Sequence, residues 1–374
     1  MASPRVLITT APYGAGHDRV AAALAQAFTA EGASAEVIDH FTRFVSPAFA
    51  RASRALFWAV LRTAPRLWGW AYAFSARLPT QSPAMGGMNR LGARALGRYL
   101  ASARPEVVVH VHPTAAGAMS RLRRRGVTRV PHAVVLTDFV AHAQWIYPDV
   151  DRYFAPTEAV GQALVAQGVP ADHVVVSGIP IDPAFAAPPD RARLRGELGL
   201  ERDVPAVLVM GGMQGRLGGI AEVCETLAGL AEAFEAVVVC GAHAALAETL
   251  RARFAGDARF RVLGRVGDMH RVMGAVDLVV TKAGASTCAE ALALGRPLVF
   301  YRSLPGQERA NEACVQTAGA GLRAPGRAAL EVVLAALLGE PRCRAAMAEA
   351  AGRLRRPEAA RTVAKEMLAL AERR

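Results

Sequence analysis

Short runs of β-branched and other apolar residues recur along the chain, each followed by a longer amphipathic stretch. In the N-terminal half the runs are Val6–Thr10, Ala35–Asp39, Val107–Val111, Ala133–Thr137 and Tyr153–Ala155. In the C-terminal half they are Ala206–Met210, Ala236–Cys240, Arg261–Leu263, Leu278–Thr281 and Leu298–Tyr301. Runs so short and so continuously apolar predict parallel strands covered on both faces. Their alternation with helical stretches predicts doubly wound α/β sheets. A glycine and two prolines in Ser177–Pro183 break the pattern. This sets the expected boundary: an N-terminal domain over 1–178 and a C-terminal domain over 179–374 that ends in helices. The expected fold class is α/β, with two Rossmann-like domains facing a cleft.

The segment 41–100 fits neither strand nor linker and reads as a helical insertion. It carries Phe41, Phe44, Phe49, Phe57, Trp58, Trp68, Trp70, Tyr72 and Phe74, including three of the four tryptophans. Charge sharpens this picture. The chain of 374 residues has a formal net charge of +12. From Phe41 to Val130 there are fifteen arginines and one acid, Glu106, so the rest is nearly neutral. A total of this size suggests nucleic acid or an anionic membrane. No nucleic-acid-binding motif accompanies the charge, so no nucleic-acid partner is expected. Clustered tryptophan among arginines, without acids, instead suits an anionic membrane surface. The longest uncharged apolar stretch there, Leu67–Ala76, lies between Arg66 and Arg77. It is too short to span a bilayer. The start of the chain runs directly into a strand, and no signal peptide is expected. Five cysteines without paired spacing argue against a zinc site or disulfide framework and fit a reducing compartment. The expected location is cytoplasmic, peripherally attached to the inner face of the cell membrane.

Three motifs carry candidate chemistry. After the first strand comes Ala11-Pro-Tyr13-Gly14-Ala-Gly16-His17-Asp18. Glycines permit the turn, and a following helix offers N–H groups to an oxygen. His17 at that junction is placed to act as a general base. The dinucleotide fingerprint fails at its third glycine, where Arg19 stands. The second half begins alike: a strand, then Gly211-Gly212-Met213-Gln214-Gly215, with Gly218 and Gly219 before a helix. Such a loop brings backbone amides to a phosphate, but no Walker lysine follows. The third motif is the string Thr281-Lys-Ala-Gly284-Ala-Ser286-Thr287, then Glu290, then Gln307-Glu308-Arg-Ala-Asn311. Hydroxyls and amides at a helix start suit phosphate, Glu290 suits ribose hydroxyls, and the last cluster suits a hexose. Phosphate, ribose and hexose in turn make a nucleotide sugar.

Together with Thr137-Asp138-Phe-Val-Ala-His142-Ala-Gln-Trp145 and Gly178-Ile-Pro-Ile181, these residues resemble the monogalactosyldiacylglycerol synthase and processive diacylglycerol glucosyltransferase family. They are more distantly similar to the N-acetylglucosaminyltransferase that makes lipid II. The resemblance implies a GT-B fold and an inverting UDP-sugar hexosyltransferase without a cofactor or bound metal. UDP-glucose or UDP-galactose is the implied donor, and diacylglycerol or a glycolipid the acceptor. His17 then matches the catalytic base. Val266 falls at uracil, and Gly212, Met213, Gln214, Gly215, Ser286 and Thr287 at the pyrophosphate. Glu290 falls at ribose, and Gln307, Glu308 and Asn311 at the donor sugar. Asp138 joins His17 in the catalytic set, while His142 and Trp145 fall on the acceptor side. Tyr13, Gly16, Trp58, Trp68 and Trp70 complete the acceptor and membrane face. Tyr13 and Asp18 stand where the family often has hydroxyl or histidine residues, and Met213 where the lipid II enzyme has serine.

Two signals compete. Asp149-Val-Asp151 matches the manganese motif of another glycosyltransferase fold, and His110-Val-His112 places two imidazoles on one strand face. Neither comes with a further ligand, so a helix or turn surface is expected for the acidic pair and acceptor-loop or packing roles for the two histidines. Three other functions remain open at this point: transfer to a soluble hydrophobic acceptor, UDP-sugar 2-epimerisation, and nucleotide-sugar sensing without turnover.

Overall fold

The computed structural model describes residues 3–78, 80, 82, 87–187, 190–211 and 219–373. Two compact units emerge. The first comprises Met1–Pro183, Pro305–Gln307 and Arg356–Arg374; the second comprises Ala184–Leu304 and Glu308–Arg355.

The first unit holds one parallel sheet of β1 (Arg5–Thr10), β2 (Ser34–Asp39), β3 (Val107–His110), β4 (His132–Val135), β5 (Arg152–Ala155) and β6 (Val174–Val176). Their order across the sheet is β2-β1-β3-β4-β5-β6. Strands β3 and β4 are buried at every position, including the histidine at one end of each, His110 and His132. The second unit repeats the plan. Its strands are β7 (Ala206–Met210), β8 (Glu235–Val239), β9 (Phe260–Leu263), β10 (Leu278–Thr281), β11 (Leu298–Tyr301) and β12 (Gly321–Ala324). They run in the order β12-β11-β10-β7-β8-β9, all parallel. These are the two Rossmann-like sheets expected from the hydrophobic pattern. Two strands, β6 and β12, escaped that pattern. Both lie at a sheet edge; β6 is only the three residues Val174–Val176, and β12 is interrupted by exposed Arg323.

Three helices of the first unit position its site. Helix α1 (Ala15–Ala30) follows β1. The insertion forms α2 (Pro47–Thr63) and α3 (Pro65–Ser75). Proline stands at the start of both, where its missing N–H costs nothing, and the Ser46 side chain caps α2 by accepting from Phe49 N at 3.1 Å. A fourth helix, α4 (Pro113–Arg124), follows β3 and is capped by His112. In the second unit, α5 (Ile220–Ala228), α6 (Ala285–Ala293) and α7 (Gln307–Thr317) follow β7, β10 and β11.

The chain's last helix, α8 (Ala359–Glu372), belongs with the first unit rather than with the C-terminal half in which a cut at 178 leaves it. Its buried face is Ala359, Ala360, Val363, Ala364 and Met367, and Arg361 Nε reaches Glu31 Oε1, at the end of α1, at 2.8 Å. Gly178 makes the return possible. Its φ is +91°, and a Cβ there would stand 2.4 Å from Arg356 Cβ.

Candidate active site

In an open parallel sheet, ligands bind beyond the carboxyl ends of the strands where the strand order reverses. In the first sheet that point lies between β1 and β3. The loop after β1 and the start of α1 lie there beside His112. His17 is in the first turn of α1, half-buried, with Nδ1 3.3 Å from Thr137 Oγ1. Its ring meets the His112 ring edge-to-face at 5.3 Å. Burial pushes the His17 pKa down, opposed by a hydrogen bond to the Val111 backbone and by the charge of Asp18. The imidazole is therefore neutral at physiological pH, as a base must be. Gly14, extended at the N-cap, brings no side chain to α1, and Gly16 lies in its first turn. The uncapped N–H groups remain available to an oxygen or anion.

Aromatic contacts join this loop to the insertion. Tyr13 packs edge-on against Phe41 at 5.2 Å and Phe57 at 5.6 Å, and its hydroxyl donates to Ser53 Oγ at 3.1 Å. Phe57 meets Trp58 at 5.7 Å and Trp68 at 5.1 Å. Trp68 Nε1 donates to Gln307 Oε1 at 3.2 Å, so Gln307 belongs to this unit's cluster. Trp70 is 65% exposed and stacks on Phe74, itself 50% exposed, at 5.4 Å. Leu56 and Leu67 are also exposed. An apolar surface of this kind beside Arg51, Arg54, Arg62 and Arg66 is uncommon on a monomer with no partner. Among the described residues no helix is long and apolar enough to cross a membrane.

Two acceptor-side expectations change. Trp145 is 5% exposed and packs with Val134, Leu136, Tyr147 and Tyr153 in a core cluster. Its large apolar ring is better kept from water, so it supports the loop from below. His142 is buried, and both its nitrogens are engaged. Nδ1 accepts from Gln144 N at 3.2 Å, leaving Nε2 to donate to Tyr72 O at 3.1 Å. It anchors α3 to the loop carrying Thr137 and Asp138. Asp138 lies close enough for its charge to push up the pKa of both Tyr72 and His142, though burial is the larger influence on each. Tyr72, whose ring packs on His142, was not singled out as a site residue in the sequence, whereas His112, beside His17, was read there as an acceptor-loop or packing residue.

The competing motifs find structural partners. Asp151 pairs with Arg123 and accepts from His132 N at 2.8 Å, while Asp149 accepts from Ser120 Oγ. His110 Nδ1 meets Thr9 Oγ1 at 2.7 Å, and His112 Nδ1 accepts from Thr114 N at 3.3 Å.

In the second sheet the order reverses between β7 and β10. Gly212, Met213, Gln214 and Gly215, expected at this point, lie outside the described residues. Beyond β10, Lys282-Ala283-Gly284 leads into α6, whose N-cap Gly284 brings no side chain. Ser286 is half-buried in its first turn, followed by buried Thr287 and Glu290. Val266 is half-buried after β9. Glu308 is buried near the start of α7, where Oε1 pairs with Lys282 Nζ and Oε2 accepts from Leu304 N at 2.8 Å. Asn311 is fully buried and donates to Ala283 O at 3.1 Å. Ser303 Oγ accepts from Ala283 N at 3.1 Å. Lys282 and Ser303 were not singled out in the sequence. The available signal was that Lys282 is one of only two lysines in an arginine-rich chain.

Comparison with known proteins places these sites in context. The monogalactosyldiacylglycerol synthase family matches residues 17–181, and the glycosyltransferase family 28 C-terminal domain matches 206–363. A processive diacylglycerol β-glucosyltransferase of Bacillus cytotoxicus is 30% identical over 96% of this chain and 92% of its own. MurG of Acinetobacter baumannii superposes with a TM-score of 0.66 at 18% identity, over 98% of this chain and 99% of its own. The UDP-GlcNAc 2-epimerase of Neisseria meningitidis, bound to UDP-GlcNAc, gives 0.59 at 13%, over 98% and 100%. The two structures confirm the fold and leave the reaction open, since one is an epimerase. The sequence match decides the family. The chain belongs to the monogalactosyldiacylglycerol synthase and processive diacylglycerol glucosyltransferase family, and its fold is the GT-B pair of Rossmann-like domains.

Proposed function

We propose that the protein transfers glucose or galactose from a UDP-sugar to diacylglycerol or a glycolipid, with inversion, at the cytoplasmic face of the membrane. The relatives' name favours glucose. The observation that carries the reading is the state of His17: half-buried, kept neutral by that burial, and held through Nδ1 by Thr137. Nε2 then takes the proton from the acceptor hydroxyl as its oxygen attacks the anomeric carbon. The bond to the diphosphate oxygen breaks in the same displacement, and UDP leaves. The uncapped start of α6, with Ser286 and Thr287, stabilises the charge developing on the diphosphate. Glu290 takes the ribose and Val266 the uracil. This scheme assigns no step to a metal or cofactor. Exposed Leu56, Leu67, Trp70 and Phe74, with the neighbouring arginines, are the surface through which the enzyme meets the acceptor's membrane.

A radiolabel transfer assay tests the reading. UDP-glucose and UDP-galactose are each offered with diacylglycerol in anionic mixed micelles, and lipid products are separated by chromatography. Labelled glycolipid with one of them is expected. UDP-sugar consumption with no lipid product, or without any acceptor, would overturn it in favour of the epimerase fold relatives' chemistry.

A further inference from the structure

The loop after β10 and the loop after β11 are tied together by polar contacts among four side chains. Ser303 Oγ accepts from Ala283 N at 3.1 Å, and Asn311 Nδ2 donates to Ala283 O at 3.1 Å. Glu308 bridges Leu304 N, at 2.8 Å, and Lys282 Nζ. The Lys282 and Glu308 side chains are only 18% and 9% exposed. A buried carboxylate with its partner removed is held far less firmly than one that is paired. Two of the three residues assigned to the donor sugar, Glu308 and Asn311, thus have polar atoms committed to the protein. Of the two, Glu308 is paired with a lysine that lies one strand away.

We propose that Lys282 is a positioning residue for the donor hexose, acting through Glu308 rather than on the diphosphate. This rests on the UDP-sugar reading above. Lys282 fixes the Glu308 carboxylate, and with it the turn from Leu304 into α7, so that the remaining oxygen lone pairs face the hexose in one orientation. The rival role is direct. Lys282 Nζ would stand 3.8 Å from a Cβ on Gly284, the N-cap of α6. It could therefore serve as a diphosphate counter-charge.

Calorimetric binding of UDP and of UDP-glucose or UDP-galactose separates the two, because neither measurement needs turnover or acceptor. The wild type is expected to bind the UDP-hexose more tightly than UDP. Lys282→Met is expected to remove about tenfold of that preference while leaving UDP affinity in place. Retained UDP binding also shows that the variant is folded. Lys282→Arg is expected to restore most of the preference. Glu308→Gln should mimic Lys282→Met, and the double variant should lose no more than the worse single one. If Lys282→Met weakens UDP as much as UDP-hexose, Lys282 is a diphosphate ligand and the proposal falls. Additive losses in the double variant overturn it as well. Should Lys282→Met not fold, Lys282→Arg against Glu308→Gln decides the same point. A wild type that binds UDP but neither hexose donor removes the transferase reading itself, and this proposal with it.

Discussion

The two switch points are built alike and solve opposite problems. In the first unit the strand ends present His17, held by the Thr137 hydroxyl and the Val111 backbone, and burial keeps its ring neutral. In the second unit the end of β10 presents half-buried Lys282, which pairs with buried Glu308 at the start of α7. A base needs an uncharged lone pair, and low dielectric supplies that by penalising the imidazolium. A sugar site needs fixed polar groups, and low dielectric would penalise those unless each charge has a partner. On the proposed reading, the same topology serves a base by burying an imidazole and a sugar contact by pairing a lysine with a carboxylate.

The largest effect should come from removing the buried imidazole. His17→Ala is expected to lower turnover by about 10²–10⁴-fold, the usual worth of a general base, with UDP affinity unchanged. Near-normal turnover would end the comparison, because the first site would then hold no base. The wild-type pH profile sharpens it. The His17 pKa lies below the ordinary 6.5, so kcat/KM should hold steady through neutrality and fall only on acidification below pH 6.5. An acid limb centred above 6.5 would mean that His17 is charged or is not the group observed.

The same penalty on buried imidazolium predicts which unit acid opens first. His40, His110 and His132 are fully buried in the first unit, whereas neither histidine of the second unit, His243 or His270, is. Burial pushes the pKa of all three down, that of His132 to about 4. Unfolded, they bind protons near pH 6.5; folded, they do so only at lower pH. Between those limits the unfolded state holds more protons, so stability falls as pH drops. For His132 alone the loss is on the order of 3 kcal/mol across that window. All four tryptophans, Trp58, Trp68, Trp70 and Trp145, lie in the first unit, so their fluorescence reports it selectively. An acid transition in fluorescence should precede loss of amide protection in the second sheet. The reverse order would sink the argument.

A smaller effect is expected at the surface of the insertion. Replacing Trp70 and Phe74 together by alanine removes two half-exposed rings that touch nothing but each other among the ring contacts. Partitioning to anionic vesicles should fall by about tenfold to a hundredfold, as expected when apolar area of this size no longer enters the interface. UDP affinity should not move. Raising ionic strength should weaken vesicle binding of wild type and variant alike, because the arginines are unchanged. Undiminished vesicle binding by the double variant would locate the membrane face elsewhere.

How much of this was legible in the sequence follows from the range of each interaction. Ten of the twelve strands were visible as short apolar runs, the edge strands β2 and β9 among them; β6, three residues long, and β12, interrupted by Arg323, did not stand out as such runs. His17 was visible because the glycines around it announce the turn that exposes it. Lys282 was not, since its partner is 26 residues away and only the folding of two loops brings them together. Motif membership also says nothing about direction. Trp145 and His142 stand in the expected loop, yet one ring enters the core and the other braces α3. The last helix could not be assigned from local pattern either, because its contact with Glu31 spans 330 residues.

The smallest effect is expected at the acidic pair for which the sequence predicts a helix or turn surface. Asp149 and Asp151 have the spacing of a manganese motif, and both sit in the first unit. Asp151 is held by Arg123 and by the His132 backbone N–H, and Asp149 by Ser120, with Arg124 Nε at 3.8 Å. A cation placed there would have to displace one guanidinium and face another. It would also break the hydrogen bond that holds the end of β4. Asp149→Asn keeps an oxygen acceptor for Ser120, so the expected cost is about 1 kcal/mol of stability, with turnover unaltered. Treating the wild type with a chelator should likewise leave transfer unchanged, and added manganese should not raise it. If chelation cut the rate tenfold, manganese restored it, and Asp149→Asn abolished that rescue, the contrast between the units would need redrawing. The first site would then depend on a paired charge after all.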